Sequence, residues 1–456
     1  MIPIVTPREM GAIDAAAPEP VGELIGRAGW ATATVARRML GGTYGRVVNV
    51  IAGPGNNGAD GRAAGRVLER RGVKVRVFGA SDAPPTLPAA DLVIDAAYGT
   101  GFRGEWRAPR VGRSPVLAVD IPSGVDGLTG EAGRGVLAAD RTVTFAALKP
   151  GLLFNAGRGL AGEVEVADIG LDTSSTHAYL VEAADVARWW RPRPPTAHKW
   201  SRAVRVVAGG PGMTGSAHLA SGAALRAGAG MVVLSSPGVD PTAPPEVVRH
   251  RLPAFDWEKP VLDDLHRFHA LVIGPGLGRD DYTVQAVRAT IVAAEVPVVI
   301  DGDGLFAMAW SPDGAGPLLR RRPDATVLTP HDGEFGLLTG HRPPAERIAA
   351  ARDLAMETRA VVLLKGPTTV VAAPAGDVRV VNTGDSRLAT AGTGDVLSGI
   401  IGALLASGMA ALEAAAAAAW IHAEAGRHGA AAGLVAGDLV PAIPDVLARL
   451  AGDGTA

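Results

Sequence analysis

The chain has 456 residues, of which 47% are hydrophobic, and a formal net charge of −2. This length predicts two or three domains with sizeable cores, and the balanced charge gives no electrostatic case for nucleic acid as a partner. The absence of cysteine excludes disulfides, thiolate metal sites and cysteine nucleophiles. Residues 1–7 lack the basic start and apolar core of a signal peptide, and the alanine run at 414–419 is too short to cross a membrane. We therefore expect a cytoplasmic protein that does not bind membranes.

The N-terminal half alternates short apolar segments with helical ones. Buried strands are predicted at 46–51, 73–78, 91–95 and 116–120, and a helix follows the first of them through 63–68. Alternating strands and helices favour a doubly wound, mostly parallel sheet. Ligands of such sheets bind beyond the carboxyl ends of the strands, which is where the glycine-rich and acidic loops of this half fall.

The alternation stops in a proline-rich stretch and then resumes. Residues 188–197 contain three prolines, which fit neither a helix interior nor a sheet ladder. We therefore predict a first domain at 1–187, a linker at 188–197 and a second domain at 198–456. The second α/β series has predicted strands at 203–208, 231–235, 270–274, 296–301, 326–329 and 360–365. No sequence repeat relates the two halves, which indicates a fusion rather than a duplication.

Three loops of the first half contain the residue types of a binding site. The segment 53–61 (Gly-Pro-Gly-Asn-Asn-Gly-Ala-Asp-Gly) permits close backbone approach to a ligand, although it matches neither the dinucleotide fingerprint nor a P-loop. Asn57, Asp95 and Ser123 supply hard oxygens, which suit an alkali or alkaline-earth cation. Lys149 follows an apolar run. A simple capped turn and a solvated lysine are the alternative interpretations.

The segment 382–395 is the most informative part of the second half. Gly392 and Gly394 precede an apolar, helix-periodic run, so free backbone N–H groups at a helix N-terminus would favour a phosphate. Asp395 at this turn suits a base that takes a proton from a hydroxyl attacking phosphorus, although an aspartate that only complements the helix dipole is the alternative. Other polar residues also follow apolar strand-like runs, and each has a purely structural alternative: Gly276 and Gly278, His331 to Glu334, and Lys365 to Thr369.

The three loops of the first half resemble the NAD(P)H-hydrate epimerase family, over roughly residues 5–185. The resemblance implies a Rossmann-like fold, potassium coordination by Asn57, Asp95 and Ser123, and a substrate with water added to its nicotinamide ring. The substrate-binding positions it implies are Asn56, Asn57, Gly58, Ala59, Asp60, Gly99, Thr100, Gly101, Phe102, Arg103, Gly104, Glu105 and Asp120. Ala59 departs from a usual glycine. Asp120 and Lys149 are the catalytic candidates, with acid and base not assigned separately.

The second half resembles the ribokinase-like superfamily and, within it, the ADP/ATP-dependent NAD(P)H-hydrate dehydratases, over about residues 196–450. Its most specific motifs are Gly-Pro-Gly-Leu-Gly at 274–278, Thr-Pro-His-x-Gly-Glu at 329–334 and Leu-Ala-Thr-Ala-Gly-Thr-Gly-Asp at 388–395. The resemblance implies that Gly276, His331, Gly333, Glu334 and Asp395 face the hydrate. It implies that the nucleotide, with Mg²⁺, is held by Lys365, Gly366, Pro367, Thr368, Thr369, Asp385, Ser386, Arg387, Leu388, Ala389, Thr390, Ala391, Gly392, Thr393 and Gly394. Departures are Trp200, Gly302 and Gly304.

Together the resemblances imply one repair pathway, in which epimerisation feeds a stereospecific, ADP-dependent dehydration with Asp395 as the catalytic residue. A vitamin or sugar kinase is the main enzymatic alternative, because the phosphate turn is shared, and a nucleotide-sensing or scaffold protein is the non-enzymatic one. ADP against ATP, and NADH hydrate against NADPH hydrate, stay open. We expect a homo-oligomer, with the alanine-rich faces at 411–425 forming either an interface or a tightly packed core.

Overall fold

The computed structural model describes residues 1–102, 104 and 106–453, so the predicted site residues Arg103 and Glu105 lie outside the described residues. The chain forms two compact units, one of residues Ile2–Ala178 and one that begins at Tyr179. Each unit contains its own sheet and its own candidate site, and each is described separately below.

The first unit is built on a parallel sheet of strand order β3-β2-β4-β5-β6-β7. Its elements are β1 (Ile2–Ile4), α1 (Pro7–Ala16), α2 (Val21–Leu40), β2 (Val47–Ala52), α3 (Asn56–Glu69), β3 (Lys74–Gly79), β4 (Leu92–Ala96), β5 (Val116–Val119), β6 (Arg141–Phe145), α4 (Asn155–Leu160) and β7 (Glu163–Ala167). The central strands β2, β4 and β5 are almost entirely buried runs of Val, Ile, Leu and Ala, as expected for a parallel sheet covered on both faces.

Helix α3 is held against α2 by a close approach of small residues. A Cβ atom at Gly29 of α2 would lie 2.4 Å from the Cβ of Ala63 in α3, so only glycine fits there. Ala33 and Ala36 of α2 are also buried in this core. The contact fixes α3, whose first turn carries the predicted site residues Asn56 and Asn57, against the carboxyl edge of the sheet.

The second unit contains a larger mixed sheet. Its elements are β8 (Ala178–Leu180), α5 (Ala183–Trp189), β9 (Ala203–Val207), α6 (Thr214–Arg226), β10 (Met231–Pro237), β11 (Val248–Leu252), α7 (Glu258–Leu262), β12 (Ala270–Ile273), α8 (Asp281–Ala293), β13 (Val298–Ile300), α9 (Asp303–Ala309), α10 (Ala315–Leu319), β14 (Thr326–Leu328), α11 (Asp332–Thr339), α12 (Arg347–Thr358), β15 (Val361–Leu364), β16 (Thr369–Ala372), β17 (Val378–Val381), α13 (Thr393–Ala406), α14 (Ala411–Arg427) and α15 (Ala436–Asp453). Strands β11-β10-β9-β12-β13-β14-β15 run parallel in that order, and β16 and β17 continue the sheet antiparallel, followed by β8.

The predicted doubly wound α/β architecture is confirmed, and the ten strands predicted from sequence all occur within one or two residues of the predicted positions. The sequence interpretation missed β6, β7 and the antiparallel strands, and it missed helix α5, which ends at Trp189 before the prolines begin. Residues Ala414–Ala418 of α14 are fully buried in the core of the second unit, so the alanine-rich face packs internally. Within the described residues, no helix is both long and apolar enough to span a membrane.

Candidate active sites

The first unit has a cavity of about 680 Å³ at the carboxyl edge of its sheet. Loops after β2, β4 and β5 line it, together with residues of α1 and α2. The predicted substrate residues in its lining are Asn56, Asn57, Asp60, Gly99, Thr100, Gly101, Phe102 and Asp120. Gly58, Ala59 and Gly104 were predicted as well but do not line the cavity. The structure therefore brings most of the predicted residues to one site.

Glycine in the first loop is required by the close approach of the chain to itself. A Cβ atom at Gly58 would lie 2.0 Å from the carbonyl oxygen of Gly53, and one at Gly53 would lie 1.8 Å from the carbonyl oxygen of Ala97. The loop therefore folds back tightly between β2 and β4 and starts α3 at the cavity wall. The Ala59 methyl group lies outside the cavity lining, so the departure from glycine is tolerated locally.

A buried lysine holds Asp120 in position. Lys149 is only 1% exposed, and its Nζ donates to Asp120 Oδ1 at 2.6 Å, to Thr144 Oγ1 at 2.9 Å and to the carbonyl oxygen of Phe145 at 3.0 Å. The Thr144 hydroxyl also donates to Asp120 Oδ1 at 3.0 Å. Asp120 has a positive φ of 65°, an uncommon conformation for a residue with a side chain. The ion pair therefore fixes the Asp120 carboxylate at the cavity while all three ammonium protons are occupied.

Two further carboxyl groups face the same cavity. Asp60 of α3 is 8% exposed, and its pKa is raised to about 8, mainly by burial and then by the charges of Asp120 and Asp14. Asp14 of α1 is more exposed, and its pKa is raised by burial and by Asp120, although Lys149 opposes the shift. Sequence reasoning missed Asp14, because nothing in its local pattern distinguishes it from a solvated charge on an amphipathic helix.

The predicted cation ligands include buried polar groups, some of which have no hydrogen-bond partner among the described residues. Asp95 is fully buried, and burial raises its pKa, while its carboxylate accepts hydrogen bonds from Ser123 N at 3.0 Å and Ser123 Oγ at 2.6 Å. Both polar atoms of the Asn57 side chain are buried without a hydrogen-bond partner among the described residues. A buried carboxylate with neutral partners and a buried, unsatisfied amide oxygen are the kinds of hard oxygen that suit a monovalent cation.

The second unit has a buried ion pair at the centre of its site. Asp301 follows β13 and is 2% exposed, and its carboxylate accepts Lys365 Nζ at 2.8 Å, Thr329 Oγ1 at 2.7 Å and Ser398 Oγ at 2.6 Å. Burial disfavours the charged form of Asp301, but Lys365 outweighs it and lowers the pKa. In turn, burial opposes the Lys365 ammonium, but Asp301 and Glu334 raise its pKa. Both groups are therefore charged near neutral pH.

The predicted glycine turn lies beside this pair. Gly392 is in the left-handed conformation, with φ 89°, at the start of α13. A Cβ atom at Gly394 would lie 3.3 Å from Lys365 Nζ, so glycine keeps the lysine close to the turn. Within the described residues, the backbone N–H groups of Gly394 and Asp395 have no acceptor. The start of α13 is thus a positively polarised site suited to a phosphate or another anion.

Asp395 lies at this turn as a carboxylate without a basic partner at ion-pair distance in the described part of the chain. Its pKa is raised to about 6, mainly by burial and by the charge of Asp301, while a hydrogen bond with Ser216 opposes the shift. A carboxylate with a pKa near 6 is ionised at neutral pH and is a stronger base than an exposed aspartate. The arrangement is suited to accept a proton from a bound hydroxyl.

Glu334 and His331 meet at the start of α11. The His331 Nδ1 accepts the N–H groups of Gly333 at 2.9 Å and Glu334 at 3.2 Å, while Glu334 Oε2 accepts the N–H of His331 at 2.9 Å. This reciprocal cap brings Glu334 Oε2 to 3.7 Å from Lys365 Nζ. The pKa of Glu334 is raised by burial, partly offset by Lys365. His331 therefore caps the helix that carries Glu334 into the site.

The remaining predicted residues lie in loops around this centre. Gly276 has a positive φ of 60° and packs against Ser216 and Met213, so the loop that is predicted to face the hydrate contacts the start of α6. Asp303 accepts the N–H of Gly278 at 2.9 Å and the Nε of Arg279 at 2.7 Å. The predicted nucleotide-binding positions 365–369 form the β15–β16 turn, and positions 385–394 lead into α13.

Within the second of these segments, Asp385 and Arg387 are bound to each other. The Arg387 Nε lies 3.0 Å from Asp385 Oδ1, and Nη2 lies 2.7 Å from Oδ2. The pKa of Asp385 is lowered by these hydrogen bonds. The guanidinium is therefore paired with Asp385, and a phosphate that binds Arg387 would have to share or displace that pairing.

Sequence reasoning missed two residues of this site, Ser216 and His422. Asp301 was noted as a polar residue at a strand end that faces the site, but it was given no role. His422 of α14 is 8% exposed, and its Nε2 lies 2.9 Å from the carbonyl oxygen of Thr393 in the glycine turn. Burial lowers the pKa of His422 to about 4, so the neutral ring donates this hydrogen bond. A lone histidine in an alanine-rich helix gives no sequence signal of such a contact.

The fold and these two carboxylate-bearing sites define a two-part α/β enzyme. The sequence profile of the family described as NAD(P)H-hydrate dehydratase matches residues 204–448. The profile described as YjeF-related protein N-terminus matches residues 21–88 and 80–151. The two profiles therefore correspond to the second and the first site, respectively.

Relatives with both halves match nearly the whole chain. The bifunctional NAD(P)H-hydrate repair enzyme Nnr of Moorella thermoacetica is 35% identical, over 98% of this chain and 97% of its own. The enzyme of the same name from Salinibacter ruber is also 35% identical, over 99% of this chain and 97% of its own. The chain belongs to the family of bifunctional NAD(P)H-hydrate repair enzymes.

Solved structures resemble the second unit. The ADP/ATP-dependent NAD(P)H-hydrate dehydratase of Bacillus subtilis, co-crystallised with ATP and Mg²⁺, is 29% identical and superposes with a TM-score of 0.50, covering 59% of this chain and 97% of that one. A ribokinase-like superfamily protein of Enterococcus faecalis has a TM-score of 0.53 at 20% identity, over 60% of this chain and 97% of that one, which shows the fold alone. The predicted ribokinase-like fold is confirmed.

Proposed function

We propose that this protein repairs hydrated nicotinamide nucleotides in two steps. Its N-terminal domain, at 1–187, interconverts the R and S epimers of NAD(P)H hydrate. Its C-terminal domain, at 198–456 beyond the linker 188–197, dehydrates the S epimer to NAD(P)H with ADP and releases AMP and phosphate. The observation that carries the proposal is the placement of Asp395 beside unpaired backbone N–H groups, in a chain of this family.

The dehydration begins with transfer of a phosphoryl group to the ring hydroxyl. Asp395 takes the hydroxyl proton as the oxygen attacks the terminal phosphorus of the nucleotide, and AMP leaves when the donor is ADP. The N–H groups of Gly394 and Asp395 and the ammonium of Lys365 stabilise the negative charge that accumulates on the phosphoryl oxygens. The carbon–oxygen bond of the phosphate ester then breaks, and phosphate leaves with the electron pair of that bond as the ring nitrogen donates its own pair. Loss of the neighbouring ring proton restores the double bond.

Phosphorylation is needed because hydroxide is a poor leaving group and phosphate is a good one. In the proposed reaction, the predicted nucleotide-binding segments, 365–369 and 385–394, bind the phosphoryl donor. The hydrate is bound by Gly276, His331, Gly333 and Glu334. Mg²⁺, when bound, neutralises the phosphate charge. The side chains of this site fit a Mg²⁺ ion that arrives bound to the nucleotide phosphates. In the described ranges, no group of three or more His, Asp or Glu side chains could hold a metal by itself.

Epimerisation requires the hydrated ring carbon to become planar, by departure of water or by ring opening to a carbonyl. Departure of water places positive charge next to the ring nitrogen, and the Asp120 carboxylate held by Lys149 is positioned to stabilise it. The side chains of Asn57, Asp95 and Ser123 are suited to K⁺, which would supply a fixed positive charge for binding the substrate phosphates. The rings of Tyr98 and Phe102, with centroids 4.1 Å apart and planes tilted by 31°, give the cavity an aromatic wall.

Three further parts of the proposal concern the donor, the assembly and the location. ADP is the proposed donor, supported by the resemblance to bacterial fused enzymes. A homo-oligomer is proposed, although the alanine-rich face of α14 cannot form its interface, because that face is buried within the unit. A cytoplasmic location follows from a reaction that consumes nicotinamide and adenine nucleotides together.

Product analysis tests the proposed function against a vitamin or sugar kinase. Purified protein is incubated with the S hydrate and ADP, and phosphorus NMR is recorded alongside absorbance in the NADH band. Repair releases inorganic phosphate and AMP with return of the chromophore. Accumulation of a stable phosphoester without absorbance would identify a kinase instead. Substituting ATP in a parallel sample establishes the preferred donor.

A further inference from the structure

Among the residues that the structure describes, more acidic than basic side chains line the cavity of the first unit. Asp14, Asp60 and Asp120 line it together with one lysine, Lys149. Three carboxylates and one ammonium in a partly enclosed space cannot all be charged without a large electrostatic cost. At least one of the carboxyl groups therefore has reason to hold a proton, and the question is which one.

Lys149 cannot give a proton to a substrate without breaking its own contacts. Its three N–H donors are used by Asp120, Thr144 and the Phe145 carbonyl at 2.6–3.0 Å, and the residue is almost completely buried. Its effect is to hold the Asp120 carboxylate in place through the 2.6 Å contact with its ammonium. Asp120 and Lys149 thus supply a fixed anion rather than an acid.

Asp60 has the opposite surroundings. It is 92% shielded from solvent on the α3 wall of the cavity, and no hydrogen-bond donor or cation contacts its carboxyl group within residues 1–102, 104 and 106–453. The groups that face it are the carboxylates of Asp120, from the loop after β5, and of Asp14, from α1. Burial and both neighbouring charges favour the neutral carboxylic acid, in agreement with its pKa of about 8.

The geometry points to Asp60 as the general acid of the epimerase site, with Asp14 as the residue that keeps it protonated. This inference rests on the proposed function of the first unit. Asp60 gives its proton to the ring hydroxyl, the carbon–oxygen bond breaks with its electron pair leaving on water, and the ring nitrogen supplies the pair for a carbon–nitrogen double bond. Asp120 stabilises the resulting cation. Water then adds to either face and returns its proton to Asp60, so the cycle consumes nothing.

Two carboxyl groups in different environments thus divide the work, one facing other carboxylates and one paired with a lysine. Helix α1 contributes Asp14 to the cavity lining, although it precedes the segment matched by the N-terminal profile, which begins at residue 21. The charge of Asp14 on this helix raises the pKa of Asp60, in addition to the effect of burial.

The test measures epimer exchange by NMR with the full-length protein, after subtraction of the rate without enzyme. Asp60→Asn removes the acid at constant shape, and we expect exchange at pH 7 to fall roughly 100-fold or more. Asp140→Asn is the matched control, because Asp140 lies at the other end of the sheet, where it accepts the N–H of Val116. That control is expected to exchange epimers at the wild-type rate. Dehydration of pure S hydrate by each variant verifies that the protein is intact.

A pH profile separates an acid from a merely structural residue. Wild-type exchange should fall as the pH rises through about 8, where Asp60 loses its proton. Asp14→Asn removes a charge that raises this pKa, so the fall should begin at lower pH while the rate at low pH stays close to wild type. An Asp60→Asn enzyme within threefold of wild type, or an Asp14→Asn profile that coincides with wild type, would overturn the inference. If wild type itself fails to exchange epimers, the proposed function of the first unit fails instead.

Discussion

Both units place a buried lysine–aspartate pair at the carboxyl end of a parallel strand, but they use it differently. Asp120 pairs with Lys149 at 2.6 Å and still lines the cavity of the first unit. Asp301 pairs with Lys365 at 2.8 Å, but hydroxyl groups occupy its other lone pairs and it is almost completely buried. The first pair therefore presents its anion to the substrate, whereas the second supports a neighbouring carboxylate.

Each unit also has a carboxyl group with no basic partner at ion-pair distance among the described residues, Asp60 in the first and Asp395 in the second. These two groups differ in pKa. Asp60 has a pKa raised to about 8 and so holds a proton at neutral pH, while the pKa of Asp395 is raised only to about 6 and the group is ionised there. The difference arises because Lys365 and Ser216 oppose the shift at Asp395, whereas the described charges that act on Asp60 are the carboxylates of Asp120 and Asp14. One residue type thus serves as an acid in one site and as a base in the other.

The largest effect is expected from removing the base of the second site. Asp395→Asn cannot take the hydroxyl proton, so dehydration should fall by about 10²–10⁴-fold, whereas epimer exchange should be unchanged. Absorbance return with S hydrate and ADP measures the first activity, and NMR exchange measures the second. The epimerase serves as the control within the same molecule. Dehydration at more than a tenth of the wild-type rate would contradict the assignment.

Breaking either ion pair should destabilise the protein. Lys365→Met leaves the buried Asp301 uncompensated, which costs about 3–5 kcal/mol in the free energy of unfolding, and Lys149→Met costs less, because Asp120 is partly exposed to the cavity. Denaturant titration measures the loss for both variants. The matched controls are the double variants Asp120→Asn/Lys149→Met and Asp301→Asn/Lys365→Met, which remove both charges and should recover most of the stability. Equal losses in single and double variants would show that packing, and not charge, holds the two pairs.

The pH dependence of dehydration sharpens the comparison with the first site. Because Asp395 must be ionised to accept a proton, the rate should rise as the pH increases through about 6 and then level off. Ser216→Ala removes a hydrogen bond that lowers this pKa, so the rise should move to higher pH. Epimer exchange should show the reverse slope, falling at alkaline pH. A dehydration rate that does not change between pH 5 and 7 would remove Asp395 from the role of base.

The smallest effect is expected from the contact that shapes the glycine turn. His422→Phe keeps the ring volume but removes the hydrogen bond to the carbonyl of Thr393, which is worth about 0.5–1.5 kcal/mol. We expect kcat for dehydration to fall roughly two- to tenfold, with little change in the KM of the S hydrate. His422→Gln, which retains a donor, should recover part of the loss. Identical kinetics in all three proteins would show that the contact does not position the turn.

Much of this architecture was accessible from the sequence, because parallel strands are continuous apolar runs and glycine-rich loops mark their carboxyl ends. The positions of Asn57, Asp120 and Asp395 could be predicted for that reason. Antiparallel β16 and β17 were missed, since their pairing depends on a neighbour in space rather than on a local pattern. Asp14, Ser216 and His422 were missed for a related reason: each acts from a helix that reaches the site only through packing between helices and sheet.

The most direct test of the whole account follows the return of NADH absorbance from an equal mixture of R and S hydrates with ADP. Wild-type protein should recover both epimers completely, because the first site supplies the S form that the second consumes. Asp60→Asn should recover the S half rapidly and the remainder only at the uncatalysed exchange rate, and Asp395→Asn should recover neither. Recovery that stops at one half in wild type, or equal recovery in wild type and Asp395→Asn, would contradict the coupling of the two sites.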